Sequence, residues 1–272
     1  MRRSVAFGVL CLWFVCGLAR SAAADPKQGH LLVVGGNGTT DEIVSRAVVT
    51  AGGRDGLVVV FPQASEVETT GAESAAMWTK AGLGRALLPD PGDVEGTLDA
   101  IGKATFIWFP GGDQERLMKA IGHSGIPEAI RARYHGGALV GGTSAGAAVM
   151  SRLMITGDAD LTSITAGRTV TAQGLGLWPE VIVDQHFLKR QRNNRLISVV
   201  LDHPDLVGVG IDETTAVFVT GQSFEVLGRN SVVVLDARKA RVEAVPKGEL
   251  AAGRGLKLAV LRAGMKYDLE KD

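Results

Sequence analysis

Apolar residues in this chain fall in short unbroken runs, and longer amphipathic stretches separate them. A run of four or five apolar residues between glycine-rich or polar turns reads as a strand buried on both faces. Leu31–Val34, Leu57–Phe61, Arg85–Leu88, Thr105–Phe109 and Ala138–Val140 are predicted as such strands. Helices are predicted between them over Asp41–Ala51, Ala72–Ala81, Val94–Lys103, Gln114–Ile121 and Pro127–Tyr134. Buried strands alternating with helices predict an α/β fold, with a mostly parallel sheet covered by helices on both faces.

After Thr156 the strands come closer together. Val181–Val183, Val207–Ile211, Ala216–Val219 and Val232–Leu235 read as strands, with a helix over Lys189–Leu201 among them. This spacing predicts that mixed or antiparallel strands complete the sheet. A last strand is expected at Lys257–Leu261, with fraying beyond it. No repeat, linker or low-complexity run divides the chain.

The first residues follow another pattern. Arg2 and Arg3 precede an apolar stretch over Val5–Leu18, too short for a membrane span, and Ala22-Ala23-Ala24 supplies a small-residue cleavage site. Residues 1–24 are therefore expected to be a signal peptide cleaved before Asp25, and residues 25–272 a single exported domain, periplasmic or extracellular and free of membrane. Both cysteines, Cys11 and Cys16, lie in that segment. The mature chain is then expected to carry no disulfide and no thiol nucleophile. Removing Arg2, Arg3 and Arg20 from the 29 basic residues leaves 26 against 29 acids, a net charge of −3. That balance gives no general attraction to nucleic acid.

The most specific local pattern is Gly142-Thr143-Ser144-Ala145-Gly146, at the end of a predicted strand and the start of a helical segment. This is the pattern of a nucleophile elbow, in which small neighbours let a strained turn expose a serine. With 36 glycines in 272 residues, the pentapeptide alone is weakly specific. The strand and helix on either side give it weight. In an open α/β sheet, ligands bind beyond the carboxyl ends of the strands. The turns at Gly35-Gly36, Pro62–Ser65 and Gly111–Gln114 share that location with the elbow.

A serine nucleophile needs a base. Of five histidines, His30, His123, His135 and His203 read as surface or capping residues. His186 closes the buried run Val181–Gln185, where a functional residue is expected. A base needs an orienting acid, and Val209-Gly210-Ile211 ends in Asp212-Glu213. Period-two alternation puts these acids on opposite faces, so one of them meets His186, and the alternation does not choose which. Lys189, Arg190, Arg192 and Arg195 then crowd into seven residues. The plain reading is a solvated helix face. Placed directly after the candidate base, the arginines also suit substrate carboxylates.

Together these motifs resemble the cyanophycinase branch of the serine peptidases that also includes aspartyl dipeptidases. The resemblance rests on Gly111–Gln114, Gly141–Ala147, Asp184-Gln185-His186-Phe187 with Arg190, Arg192 and Arg195, and Gly210–Ala216. It implies a flavodoxin-like fold, similar to the class I glutamine amidotransferase domain. It implies Ser144 as nucleophile, His186 as general base and then acid, and Glu213 as the orienting acid. The implied oxyanion hole is the N–H of Ala145 with an N–H from the Gly111-Gly112 turn. Gln114, Asp184, Gln185, Arg190, Arg192 and Arg195 match substrate-pocket positions, with Asp184 reaching guanidinium groups directly or indirectly. The implied substrate is cyanophycin, a polyaspartate with arginine on its side-chain carboxyls, cleaved to β-Asp-Arg dipeptides. The resemblance also suggests a homodimer, and no metal or cofactor motif is present. The turn Gly35-Gly36-Asn37-Gly38 departs from the family pattern, which places an acid soon after the glycine pair. An aspartyl or isoaspartyl dipeptidase, and a non-catalytic binder of acidic peptides, are the alternative readings.

Overall fold

The structure, a computed structural model, describes residues 28–157 and 160–272. The expected signal peptide and its two cysteines lie outside the described residues.

Five parallel strands form the heart of the molecule. They are β1 (His30–Val34), β2 (Leu57–Val60), β3 (Arg85–Leu87), β4 (Phe106–Phe109) and β5 (Leu139–Thr143). Antiparallel strands β10 (Thr215–Thr220), β11 (Ser223–Gly228) and β16 (Lys266–Asp268) extend the sheet beyond β1. The resulting order is β16-β11-β10-β1-β5-β4-β2-β3. The fold is thus α/β with a large, mostly parallel, flavodoxin-like sheet.

The alternation of side chains along each strand sorts the helices onto the two faces. Leu32, Val34, Val58, Val60, Phe106 and Trp108 pack with Ile43 and Ala47 of helix α1 (Asp41–Thr50) and Trp78 of helix α2 (Thr70–Lys80). Leu31, Val33, Val59, Ile107 and Val140 face the other way. They meet helices α3 (Val94–Lys103), α4 (Gln114–Ile121), α5 (Ile126–His135) and α6 (Ala145–Ala148). Trp78 sits edge-on to both Phe106 and Trp108, with ring centroids 4.9 and 5.0 Å away.

The second half of the chain corrects the expectation of a single completed sheet. A small hairpin of β6 (Leu153–Ile155) and β7 (Thr171–Gln173) follows α6. The buried runs then build a separate four-stranded sheet from β8 (Val181–Gln185), β9 (Val207–Ile211), β12 (Val232–Asp236) and β15 (Lys257–Leu261), in the order β15-β12-β9-β8. Val181, Val183, Val207, Val209, Val232 and Val234 turn inward onto the core that the central sheet shares. Ile182, Val233 and Leu235 on the opposite face are covered by helix α7 (Asn193–Asp202) through Leu196, Val199 and Val200. Such a run encodes burial on both faces, and it does not encode which sheet supplies the neighbours. A short hairpin of β13 (Arg241–Val242) and β14 (Gly253–Arg254) precedes β15, and β16 replaces the expected fraying.

The helix expected from Lys189 starts only at Asn193. His186 and Gln191 hold φ values of 47° and 53°, in the left-handed region. Residues 187–192 are therefore a compact turn, closed by bonds from Arg190 N–H to His186 O and from Arg192 N–H to Phe187 O.

Candidate active site

Strand β5 feeds Ser144 into the site. Ser144 adopts φ 55° and ψ −113°, and α6 begins at the next residue. The sharp turn demands a small residue at 146. A Cβ on Gly146 would lie 2.0 Å from the carbonyl oxygen of Phe109. The backbone N–H of Ser144 donates to Val34 O at 3.0 Å, which ties the elbow to the end of β1.

His186 comes from the other sheet, one residue past β8. Its Nε2 lies 3.0 Å from Ser144 Oγ, and its Nδ1 lies 2.7 Å from Glu213 Oε1. With the Nδ1 proton donated to the carboxylate, Nε2 is free to accept the serine proton. Ser144 Oγ also lies 3.4 Å from Gln185 Oε1, a longer and weaker alternative for the same proton. Among the described residues, four of the six non-glycine residues with positive φ belong to this region: Asn37, Ser144, His186 and Thr214. Backbone strain of this kind collects where a structure holds side chains against their local preferences.

The two acids separate as the alternation requires. Glu213 faces His186, whereas the buried Asp212 accepts the backbone N–H of Lys189 at 3.0 Å. Asn230 Nδ2 and the hydroxyls of Thr214 and Thr215 converge on the Glu213 carbonyl oxygen and fix its backbone.

Burial sets the electrostatics. The His186 side chain is 9 % exposed. Desolvation holds its pKa below the ordinary value of 6.5, against the pull of the Glu213 hydrogen bond, with the nearby Arg190 and Arg192 cations adding to the lowering. The hydrogen bond from His186 is the main cause that holds Glu213 below the ordinary carboxylate value. At neutral pH this arrangement offers a neutral imidazole to the serine and a carboxylate anion behind it. Acid–base and nucleophilic chemistry on an acyl group is within its reach.

The remaining candidates divide into those with exposed surface and those that are buried. The Gly111-Gly112 turn lies against the elbow: a Cβ on Gly111 would sit 3.3 Å from Ser144 Cβ. Ala145, the residue after Ser144, opens α6. Arg190 is exposed, one hydrogen-bonded turn after His186. Gln114 donates its side-chain amide to Ile155 O at 2.8 Å.

Asp184 and Arg195 occupy a different place from the one expected of direct substrate contacts. Asp184 has no exposed surface, and Arg195 is 5 % exposed. Arg195 grips both carboxylate oxygens and also donates to Gly157 O. Any influence of this pair on a substrate is exerted through the strand it braces. The buried Arg192 donates to Gln185 O at 2.7 Å and so supports the same strand end.

The sequence reading noted the Gly35–Gly38 turn and gave no role to two of its residues, which the structure sets against the site. The ring of His186 lies over Gly36, where a Cβ would come within 2.3 Å of Cε1 and 2.4 Å of Nε2. Asn37 Nδ2 donates to Glu213 Oε2 at 3.0 Å. The signal that could have found them is their place in a glycine turn at the carboxyl end of β1, directly beside β5.

Comparison with known proteins places this chain in a family. The family model for peptidase family S51 matches residues 31–227. A cyanophycinase of Geminocystis herdmanii is 35% identical over 257 residues, covering 89% of this chain and 94% of the relative. A cyanophycinase of Thermosynechococcus vestitus is also 35% identical, over 92% of this chain and 83% of its own length. Among solved structures, a peptidase from an acI-B1 Actinobacterium shares the fold with a TM-score of 0.63 at 20% identity, covering 90% of this chain and 98% of its own.

Proposed function

The chain belongs to peptidase family S51 and is a serine-type peptidase of the cyanophycinase and peptidase E kind; from that premise we propose that it is an exported cyanophycinase using Ser144, His186 and Glu213. The carrying observation is the unbroken chain of contacts from Ser144 Oγ to His186 Nε2 at 3.0 Å and from Nδ1 to Glu213 Oε1 at 2.7 Å.

In the proposed reaction Ser144 Oγ attacks the carbonyl carbon of a backbone aspartyl bond while His186 Nε2 takes its proton. Negative charge on the carbonyl oxygen is met by the N–H of Ala145 and one from the Gly111-Gly112 turn. As the carbon–nitrogen bond breaks, His186 passes the proton to the leaving amine and an acyl-enzyme remains. Water then attacks the ester. His186 accepts its proton and returns one to Ser144, which frees a β-Asp-Arg dipeptide. Glu213 holds the imidazole tautomer and offsets the positive charge of the imidazolium.

The substrate assignment is supported by the cyanophycinase relatives and by the position of Arg190. Its exposed guanidinium, next to the base, suits a substrate carboxylate. Gln114 and Gln185 would shape the walls, and Asp184 with Arg192 and Arg195 would brace the strand below. Export is supported by the basic and apolar pattern of residues 1–24, and a homodimer by the family resemblance. An exported enzyme of this kind would meet polymer released from lysed cells.

The test is incubation of the purified protein with insoluble cyanophycin, reading soluble products by mass spectrometry beside Ser144→Ala. Release of β-Asp-Arg by the wild type and its loss in the variant is the expected result. Loss of a serine nucleophile costs on the order of 10⁶ in kcat in a well-studied serine protease. Full release by Ser144→Ala would overturn the assignment. Reaction of Ser144 with a fluorophosphonate but no release from the polymer would move the substrate to short acidic peptides.

A further inference from the structure

The glycine turn after β1 meets the site at three points. The His186 backbone N–H donates to Gly35 O at 2.7 Å, and the Thr214 N–H donates to Gly36 O at 2.9 Å. Asn37 Nδ2 reaches the second oxygen of Glu213 at 3.0 Å. One turn thus touches the histidine, the residue after the glutamate, and the glutamate itself.

Each of the two oxygens of the Glu213 carboxylate meets one side chain. Oε1 faces His186 Nδ1 and Oε2 accepts from Asn37. A carboxylate held through one oxygen only can rotate about its terminal bond, a broad and soft torsion. A second donor on the other oxygen fixes that rotation and keeps Oε1 in the plane of the imidazole N–H. Asn37 is well suited to this place. It sits at φ 54°, which asparagine tolerates better than most residues with a Cβ. Its carboxamide is neutral, so it donates to the carboxylate without adding a charge beside the histidine.

The geometry points to Asn37 as a positioning residue of the reaction: its Nδ2–H donor on Glu213 Oε2 locks the carboxylate that orients His186. This rests on the proposed roles of Ser144, His186 and Glu213. Asn37 touches no reacting atom, and its effect passes through Glu213.

The experiment uses the full chain with cyanophycin and two variants that keep the turn. Asn37→Gly accepts the positive φ and removes the donor. Asn37→Asp keeps the shape and sets a carboxylate opposite Glu213. Asn37→Gly is expected to lower kcat about three- to tenfold with KM unchanged, the loss of one hydrogen bond to a charged group at an exposed position. Asn37→Asp is expected to lower kcat further at neutral pH. It should also move the acid limb of kcat/KM to higher pH, because a second anion favours the imidazolium. A turn that serves only stability would lower the melting temperature and leave kcat and the pH limb in place. Unchanged kcat and an unmoved limb in both variants would overturn the inference. Ser144→Ala, run alongside, separates the cases: activity in that variant sinks the proposed triad, whereas its loss with normal Asn37 variants sinks only the role of Asn37.

Discussion

Arg195 donates to both carboxylate oxygens of Asp184, and Asp184 meets no solvent. Arg192 Nη1 stands 3.9 Å from the same carboxylate, and the Gln185 backbone N–H donates to it at 2.8 Å. An acid and an arginine that look in sequence like substrate contacts are thus committed to each other under the strand end that carries Gln185 and His186. Removing one partner of a buried ion pair typically costs about 3–5 kcal/mol, since it strands the other charge in the interior. Asp184→Ala and Arg195→Ala are each expected to lower stability by about that much in denaturant melts. The double variant should cost less than the sum, with a coupling of about 1–3 kcal/mol. Strict additivity would show that the two side chains do not act as a pair.

Gly36 is the floor on which the His186 ring lies. Gly36→Ala would place a methyl group 2.3 Å from Cε1, so the ring or the turn must shift. A displacement of about 1 Å at a reacting group is able to cost about 10² in rate. The expected outcome is a kcat at least that much lower with reactivity toward a fluorophosphonate lost in parallel. A variant that labels at the wild-type rate would show that the ring has room to move.

The direction of the His186 shift fixes the sign of the pH dependence. The base works when neutral, so kcat/KM falls as pH drops through the pKa of the free enzyme. Burial and the cations Arg190 and Arg192 keep that pKa below 6.5, so the acid limb should lie below 6.5. Arg190→Ala removes one lowering cation and should move the limb up. Glu213→Gln removes the opposing anion and should move it down, while kcat drops by about 10⁴ as the wrong tautomer is favoured. A limb that shifts the opposite way in either variant contradicts the assignment of His186 as the base. The same shift makes the folded state less stable as pH falls below 6.5, because the unfolded chain then binds the extra proton.

Gly146 packs the elbow against β4. A Cβ there would lie 2.0 Å from Phe109 O, and both are backbone-anchored in the central layer. Gly146→Ala is expected to lower stability by about 1–3 kcal/mol through overpacking and to reduce activity with it. Thermal melts beside activity assays would check this, and an unchanged melting temperature would show that the elbow relaxes.

The sequence was legible where one physical rule acted alone. Leu31–Val34 and Val207–Ile211 are apolar throughout, so burial on both faces followed directly, and the chemistry at their carboxyl ends was easy to locate. The partner of a strand was not legible in the same way. Val232–Leu235 would look identical in either sheet, because tertiary packing chooses the neighbour. The start of α7 was missed for a related reason. Its delay to Asn193 depends on left-handed backbone at His186 and Gln191, which neither side chain announces. The choice of Glu213 over Asp212 came with the family resemblance, and the structure supplies the contact, since alternation alone left both open. Asn37 looked like one more turn residue because its partner lies 176 positions away in the chain.

Ser144 follows a strand of the eight-stranded sheet, His186 follows a strand of the four-stranded sheet, and Glu213 lies where the chain crosses from β9 in one to β10 in the other. The contact of 3.0 Å between serine and histidine is therefore a gauge of how the two sheets are docked. A slip of one sheet against the other would silence the enzyme with every ladder of hydrogen bonds still intact. On heating, activity should vanish ahead of the far-ultraviolet signal of secondary structure.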